Sequence, residues 1–130
     1  MRILYVDDDL LAVRAVVREL RACEDTTVTG LSDPREAVAL LRQESFDVVL
    51  SDFQMPLMDG VDFLGEVFKL RPGARRLLLT GSPDDPKVRA ALGEGLVECI
   101  LAKPVASARL REAVGTLLRD RRKTPETSAS

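Results

Sequence analysis

Residues 48–60 read Val-Val-Leu-Ser-Asp-Phe-Gln-Met-Pro-Leu-Met-Asp-Gly, and the order of these residues already indicates an architecture. The short apolar run Val48–Leu50 is typical of a strand that is covered on both faces. Asp52 follows it at once, and a turn ending at Gly60 comes next. Apolar residues then recur at helical spacing, at Val61, Leu64, Val67 and Phe68. This stretch therefore predicts one strand followed by one helix, the unit from which parallel sheets are built.

The same unit occurs five times along the chain. The predicted strands are Ile3–Val6, Thr27–Gly30, Val48–Leu50, Leu77–Leu79 and Cys99–Leu101. The other four helices show apolar faces at Leu10, Val13, Val17 and Leu20; Ala37, Leu40 and Leu41; Val88, Ala91 and Leu92; and Leu110, Val114, Leu117 and Leu118. Five such units predict an α/β fold of (βα)5 type with right-handed crossovers, a doubly wound three-layer sandwich around a parallel sheet. An eight-unit barrel needs roughly 250 residues, about twice this length.

The residues at the predicted helix starts support this division of the chain into five strand–helix units. Asp33-Pro34 and Asp85-Pro86 each combine an N-cap acid with a proline at the first helical position, and Asp9 is the predicted cap of the first helix. Four glycines are predicted to fall between elements, where positive φ angles are common: Gly30, Gly60, Gly73 and Gly95.

Composition excludes several classes of protein. The 130 residues suffice for one domain, and the absence of histidine excludes Ser-His-Asp triads, Cys-His pairs and zinc sites built on histidine. A net charge of −2 and five aromatic residues argue against nucleic-acid binding by this domain. No apolar stretch reaches about 20 residues, and the N-terminus does not resemble a signal peptide, so we expect a cytoplasmic protein. Residues 1–121 are predicted to form the domain, and 122–130 a flexible tail or the start of a linker.

Polar side chains follow four of the five predicted strands. Asp7 and Asp8 follow the first strand, Asp52 the third, Thr80 the fourth and Lys103 the fifth. Ligands of open parallel sheets bind beyond the carboxyl ends of the strands. If the first and third strands are neighbours, the three carboxylates converge on one small volume.

Such a cluster has a chemical consequence. Carboxylates about 4 Å apart repel by roughly 4 kcal/mol per pair at an effective dielectric constant near 20. Either one of them takes up a proton or the cluster recruits a cation. Oxygen ligands suit Mg²⁺, which shares its coordination shell readily with phosphate oxygens, and a lysine and a threonine hydroxyl can bind the remaining oxygens of a phosphoryl group. The set predicts metal-assisted phosphoryl transfer with Asp52 as nucleophile.

Four motifs carry a family resemblance: Tyr-Val-Asp-Asp at 5–8, Ser-Asp-Phe-Gln-Met-Pro-Leu-Met-Asp-Gly at 51–60, Leu-Leu-Thr-Gly at 78–81 and Ala-Lys-Pro at 102–104. Over about residues 1–121 the chain resembles the receiver (REC) domain of bacterial two-component response regulators. The resemblance implies a flavodoxin-like sheet in the order 2-1-3-4-5. It also implies that Asp52 accepts a phosphoryl group from a sensor histidine kinase or a phosphotransfer protein, and that the domain is a signalling switch rather than an enzyme.

The resemblance assigns roles to the residues that follow the strands. Asp8 would bind Mg²⁺ (or Mn²⁺) directly, Asp7 would act mainly through water, and Asp52 and the backbone carbonyl of Gln54 would complete the protein ligands. Thr80 matches the switch hydroxyl that moves toward the phosphoryl group. Lys103 matches the lysine that pairs with that group, and the Lys103–Pro104 bond matches a cis peptide.

One position departs from the family pattern. Three residues before the lysine, where the family usually has Tyr or Phe, this chain has Ile100. Isoleucine is stiff at χ1 and has neither the bulk nor the hydroxyl of the aromatic switch residue. The output surface is expected on the fourth helix, fifth strand and fifth helix, where it would contact a downstream protein or a fused output domain. Its candidate exposed positions are Arg89, Leu92, Ile100 and Val114.

Two other functions compete with this interpretation. A receiver-like interaction module that no longer takes phosphate is compatible with Ile100. A phosphatase of the haloacid-dehalogenase type would use the Asp7-Asp8-Asp9 run, but that family needs an acidic pair after the lysine, and nothing suitable precedes Asp120. A nucleotide-hydrolysing P-loop protein is excluded, because the chain has no Gly-x-x-x-x-Gly-Lys-[Ser/Thr] loop.

Overall fold

The computed structural model describes residues 1–120; the predicted tail at 122–130 lies outside the described residues. Strands and helices alternate strictly along the chain. They are β1 (Arg2–Val6), α1 (Leu10–Arg21), β2 (Thr27–Leu31), α2 (Pro34–Gln43), β3 (Val48–Asp52), α3 (Gly60–Leu70), β4 (Arg75–Thr80), α4 (Pro86–Gly93), β5 (Cys99–Ala102) and α5 (Ser107–Asp120). None of the helices within this range is long and apolar enough to cross a membrane.

The five strands form one parallel sheet in the order β2-β1-β3-β4-β5, which confirms the predicted topology. β1 lies between β2 and β3, and its register places Leu4 beside Val49 and Val6 beside Ser51. The first and third strands are hydrogen-bonded neighbours. This was the condition under which the carboxylates of Asp7, Asp8 and Asp52 were expected to converge.

Two apolar cores, one on each face of the sheet, make the three predicted layers. Alternate residues of β1 serve both, since Leu4 and Val6 pack under α2, α3 and α4 while Ile3 and Tyr5 pack under α1 and α5. This alternation follows from the two-residue period of a strand. Residues of β1, β3 and β4 are almost completely buried, which explains their nearly continuous apolar sequences.

The predicted helix starts are confirmed. The carboxylate of Asp9 accepts a hydrogen bond from the backbone N–H of Leu11, and Asp33 and Asp85 do the same for the backbone N–H groups of their own helices. Each acid thereby satisfies a backbone donor that the helix itself leaves unpaired. These caps set where α1, α2 and α4 begin, and α1 and α4 follow the strands β1 and β4, whose ends lead into Asp7, Asp8 and Thr80.

Three apolar residues are exposed or buried contrary to prediction. Leu10 and Phe68 were expected to face the core but are 52% and 49% exposed. Leu10 is the first residue of α1, and Phe68 lies near the end of α3, where the guanidinium of Arg76 stacks 4.9 Å from its ring centre. Val114 was expected on the exposed output surface and is 1% exposed, because α5 packs it against the sheet.

Two of the four glycines predicted to fall between elements lie inside them instead. Gly60 is the first residue of α3, and Gly30 lies within β2. A Cβ at Gly30 would come within 2.6–2.7 Å of Val13 and Val17, so α1 packs directly on the β2 backbone there. Both residues were predicted to lie in connecting segments, whereas the structure shows that each is glycine because a neighbouring element packs too closely for a Cβ.

Candidate functional site

Three carboxylates meet at the carboxyl edge of the sheet. Asp7 and Asp8 follow β1, Asp52 is the last residue of β3, and one oxygen of each lies within 4.8 Å of those of the other two. Asp7 and Asp52 are buried, at 1% and 7% exposure, whereas Asp8 is exposed. The convergence follows from the pairing of β1 with β3, which ends both strands at one point.

Lys103 completes this cluster from the other side. Its ammonium group donates to Asp52 Oδ1 at 2.5 Å and to Asp7 Oδ2 at 3.4 Å. The lysine follows β5, and its backbone N–H donates to the carbonyl of Thr80 at 2.8 Å, which fixes the start of the loop. The Lys103–Pro104 peptide bond is cis. The side chain therefore crosses from the fifth strand toward the ends of the first and third.

Asp7 is held by three donors. The hydroxyl of Tyr5 donates to Asp7 Oδ2 at 2.6 Å, the backbone N–H of Asp9 donates to Oδ1 at 3.0 Å, and Lys103 is the third donor. Tyr5 was not predicted as a site residue, although it begins the Tyr-Val-Asp-Asp motif, because its strand is otherwise an apolar run. A signal was present: residues i and i+2 of a strand share a face, so the only tyrosine in the chain stands on the same side as Asp7.

The charges in the site are unevenly compensated. Burial raises the pKa of Asp52 above its ordinary value; the hydrogen bond from Lys103 opposes this change, and the charges of Asp7 and Asp8 add to it. For Lys103, burial alone would lower the pKa, but the hydrogen bond to Asp52 and the charge of Asp7 outweigh it and the pKa is raised. Lys103 thus stays an ammonium, while the charged form of Asp52 is disfavoured and would gain from a cation.

Gly60 allows α3 to begin directly against β3. Its N–H donates to the carbonyl of Phe53 at 2.7 Å, and a Cβ at this position would lie 2.1 Å from the carbonyl oxygen of Asp52. Only glycine permits so close an approach of two backbones. Asp59 caps the helix by accepting from the backbone N–H of Asp62 at 2.8 Å. Asp59 and Gly60 therefore fix the start of α3 against the backbone of Asp52 and Phe53.

The remaining predicted residues surround the cluster. Thr80 ends β4 and is 1% exposed, and its hydroxyl oxygen accepts from the backbone N–H of Ser82 at 2.9 Å. Gln54 is exposed in the loop two residues after Asp52. Ile100 is half-buried in β5 and packs on the core under α2, α3 and α4 rather than at the acids.

A family model described as the response regulator receiver domain matches residues 3–115. The chain belongs to the response regulator receiver domain family. The resemblance inferred from its motifs is thereby confirmed, and with it membership in a family of signalling switches of two-component systems.

Other receiver proteins resemble the chain in sequence and in fold. A response regulator receiver protein of Anaeromyxobacter sp. strain Fw109-5 is 36% identical over 84% of this chain and 45% of its own length. The transcriptional regulatory protein GlrR of Escherichia coli is 31% identical over 89% of this chain and 26% of its own. A CheY-like receiver domain protein from Methanospirillum hungatei superposes with a TM-score of 0.86 at 29% identity, covering 95% and 97% of the two chains. The chain thus spans less than half of the length of the Anaeromyxobacter and Escherichia coli relatives.

Proposed function

We propose that this receiver domain accepts a phosphoryl group on Asp52 from a sensor histidine kinase or a phosphotransfer protein, and that the modification switches a protein-interaction surface. The observation that carries this proposal is the meeting of Asp7, Asp8 and Asp52 with the ammonium of Lys103 at one edge of the sheet. Membership in the receiver family supports the same chemistry.

The donor set fits a hard divalent cation. Within the described residues, three carboxylates face a single ammonium group, and all of their ligand atoms are oxygens, which Mg²⁺ prefers. In this proposal Asp8, Asp52 and the backbone carbonyl of Gln54 hold Mg²⁺ or Mn²⁺, and Asp7 acts mainly through water. The bound cation would neutralise charge on the phosphoryl oxygens during transfer.

Asp52 is the proposed nucleophile. One of its carboxylate oxygens forms a bond to phosphorus while the bond between phosphorus and the donor histidine nitrogen breaks, and the bonding electron pair returns to that nitrogen. Lys103 then moves its hydrogen bond from Asp52 to a phosphoryl oxygen. The hydroxyl of Thr80 turns from its present contact with Ser82 to donate to a second phosphoryl oxygen. Beyond forming and hydrolysing its own acyl phosphate, the domain is proposed to catalyse no reaction.

The proposed output surface is formed by α4, β5 and α5. Arg89 is exposed there, and Leu92 and Ile100 are half-buried. Its partner would be a downstream protein or a fused output domain, with no role for nucleic acid or membrane in this domain. We also propose that residues 1–121 are the functional unit and that the domain works in the cytoplasm.

Intact mass spectrometry tests the proposal. The wild type is incubated with acetyl phosphate and Mg²⁺, beside a metal-free sample and the Asp52→Asn variant, which keeps the shape of the side chain without the nucleophile. We expect one added phosphoryl group in the wild type with Mg²⁺ and none in the other two samples. An adduct of equal yield on Asp52→Asn would reject Asp52 as the acceptor.

Fast hydrolysis could hide the adduct, so a stable analogue is needed alongside it. Beryllofluoride mimics an aspartate-bound phosphoryl group without being hydrolysed, and its binding is followed by the rise in melting temperature. A rise in the wild type but not in Asp52→Asn supports the switch. Failure of both acetyl phosphate and beryllofluoride would favour the phosphate-independent interaction module.

A further inference from the structure

Tyr5 places a hydroxyl group inside the apolar core beneath α1 and α5. The residue is 0% exposed, and its neighbours Ile3, Leu4 and Val6 in β1 are apolar and equally buried. Removing a hydroxyl from water costs free energy unless it finds a hydrogen-bond partner. Its partner is Asp7 Oδ2, at 2.6 Å, a short distance typical of a hydroxyl that donates to a charged carboxylate.

We infer that Tyr5 is a positioning residue for the acid Asp7, and that its hydroxyl fixes the carboxylate in the orientation from which it acts on the cation at the site. This inference rests on the proposed function, because it needs a cation bound among Asp7, Asp8 and Asp52. Donors around a metal-binding group orient it and tune its affinity, and such supporting partners are a regular part of metal sites.

The arrangement of donors on Asp7 determines what Tyr5 contributes. Oδ1 accepts from the backbone N–H of Asp9, and Oδ2 accepts from Tyr5 and from Lys103. The contact to Lys103 is the longest of the three, at 3.4 Å, and Lys103 is also the group proposed to move its hydrogen bond to the phosphoryl oxygen. Tyr5 is attached to the core and stays in place when Lys103 turns away, so it keeps one side of the carboxylate fixed.

A role limited to filling the core would not require the hydroxyl. Phenylalanine has the same ring and would fill the same space under α1 and α5. The variant Tyr5→Phe therefore removes the hydrogen bond to Asp7 while keeping the packing. Val17→Ala is its matched control, because Val17 lies in the same core and loses packing without a polar contact to the acids.

Titration calorimetry with magnesium chloride is the decisive measurement. Loss of a supporting donor typically weakens metal binding 10–100-fold, and we expect a dissociation constant about tenfold higher in Tyr5→Phe. Val17→Ala should bind Mg²⁺ within about twofold of the wild type even though its melting temperature falls. Equal Mg²⁺ affinity in Tyr5→Phe and wild type would overturn the inference. If the wild type itself neither binds Mg²⁺ nor takes phosphate on Asp52, the proposed function fails first and the inference fails with it.

The composition of the chain offers a second readout that needs no variant of Tyr5. The protein has one tyrosine and no tryptophan, so its intrinsic fluorescence reports on Tyr5 alone. A hydrogen bond to a carboxylate quenches tyrosine emission. We expect Asp7→Asn to raise the emission, because it removes the charged acceptor of this hydrogen bond. Since the hydrogen bond persists when Mg²⁺ binds, the wild type with Mg²⁺ should stay below the emission of Asp7→Asn. Equal emission of Asp7→Asn and the wild type would overturn the inference.

Discussion

The carboxylate of Asp52 ends a buried strand, next to Asp7 and Asp8 and in contact with Lys103. Burial and the two neighbouring charges raise its pKa in spite of the lysine, so the folded protein holds a proton on Asp52 more tightly than the unfolded chain does. Between the ordinary pKa of an aspartate and this raised value, stability falls as the pH rises. At neutral pH the ionised side chain is therefore a source of instability that a cation would relieve.

Replacing Asp52 with asparagine should stabilise the metal-free protein. The variant removes the repulsion from Asp7 and Asp8 but keeps a polar side chain of the same size. We expect the melting temperature at pH 7.5 in EDTA to rise by roughly 3–5 °C, which corresponds to about 1 kcal/mol for a domain of this size. Differential scanning calorimetry measures the change.

The same pair of proteins gives a pH test. Because the raised pKa belongs to the wild type alone, the advantage of Asp52→Asn should be largest at neutral pH and should shrink as the pH falls through the pKa of Asp52. An advantage that grows toward acidic pH would show that the ion pair with Lys103 outweighs the repulsion.

Asp8 is the exposed member of the cluster, and we expect it to carry much of the response to Mg²⁺. At a Mg²⁺ concentration ten times the dissociation constant, binding stabilises the wild type by roughly 1.4 kcal/mol. The rise in melting temperature should be much smaller in Asp8→Ala. Glu94→Ala is the control, since it removes an exposed acid that follows α4. Equal shifts in Asp8→Ala and wild type would remove Asp8 from the proposed site.

The start of α3 packs directly against the end of β3, where Asp52 lies. An alanine at Gly60 would place its Cβ 2.1 Å from the carbonyl oxygen of Asp52. We expect Gly60→Ala to destabilise the fold by about 1–3 kcal/mol in urea unfolding, and to slow phosphorylation of Asp52 by acetyl phosphate.

Gly65 in the same helix provides the matched control. A Cβ there meets Leu96 at 3.9 Å, which is ordinary van der Waals contact. Gly65→Ala should leave stability unchanged or raise it by up to about 1 kcal/mol, because alanine favours helix over glycine. If both variants lose the same stability, the contact with Asp52 does not explain the loss, because a Cβ at Gly65 makes no such contact.

Much of this architecture could be predicted from the sequence because local rules and tertiary packing agree. Capping acids such as Asp33 and Asp85 fix where helices begin, and buried strands reveal themselves by continuous apolar runs. Two errors have a common cause: helical periodicity does not say how far a helix extends past the sheet, and Leu10 and Phe68 are therefore exposed. Val114 is buried, as the periodicity of its helix indicated, and only its place on the expected output surface was wrong.

The site could be predicted in part, because the ends of neighbouring parallel strands lie at one edge of the sheet. Strand ends bring Asp7, Asp52 and Lys103 to one edge of the sheet once the strand order is known, and the order itself came from the family resemblance rather than from periodicity. Tyr5 lies among apolar residues, and the one sequence signal for its hydrogen bond to Asp7 is the spacing of two residues that puts both on one face of the strand.

In the molecule as a whole, we expect the route from the site to the proposed output surface to pass through β4 and β5, the strands that carry Thr80 and Ile100. Ile100 stands opposite Leu78 in the register, and Thr80 stands two residues further along β4, on the same face of the sheet. A displacement of Thr80 would therefore act on the face of the sheet on which Ile100 lies. The side chain of Ile100 is branched at Cβ and has few χ1 rotamers. It also has no aromatic ring that could move into the space that Thr80 would leave.

This geometry predicts a smaller response at α4, β5 and α5 than an aromatic residue at position 100 would give. With beryllofluoride bound, hydrogen exchange measured by mass spectrometry should slow around residues 80–85 of the wild type and should change less along α4 and β5 than in Ile100→Tyr. Ile100→Tyr restores the aromatic group usual in the family and should extend the change into both elements, whereas Ile100→Val, still branched at Cβ, should behave like the wild type. A change in α4 and β5 of the wild type as large as that in Ile100→Tyr would show that the signal reaches the output surface without the aromatic side chain.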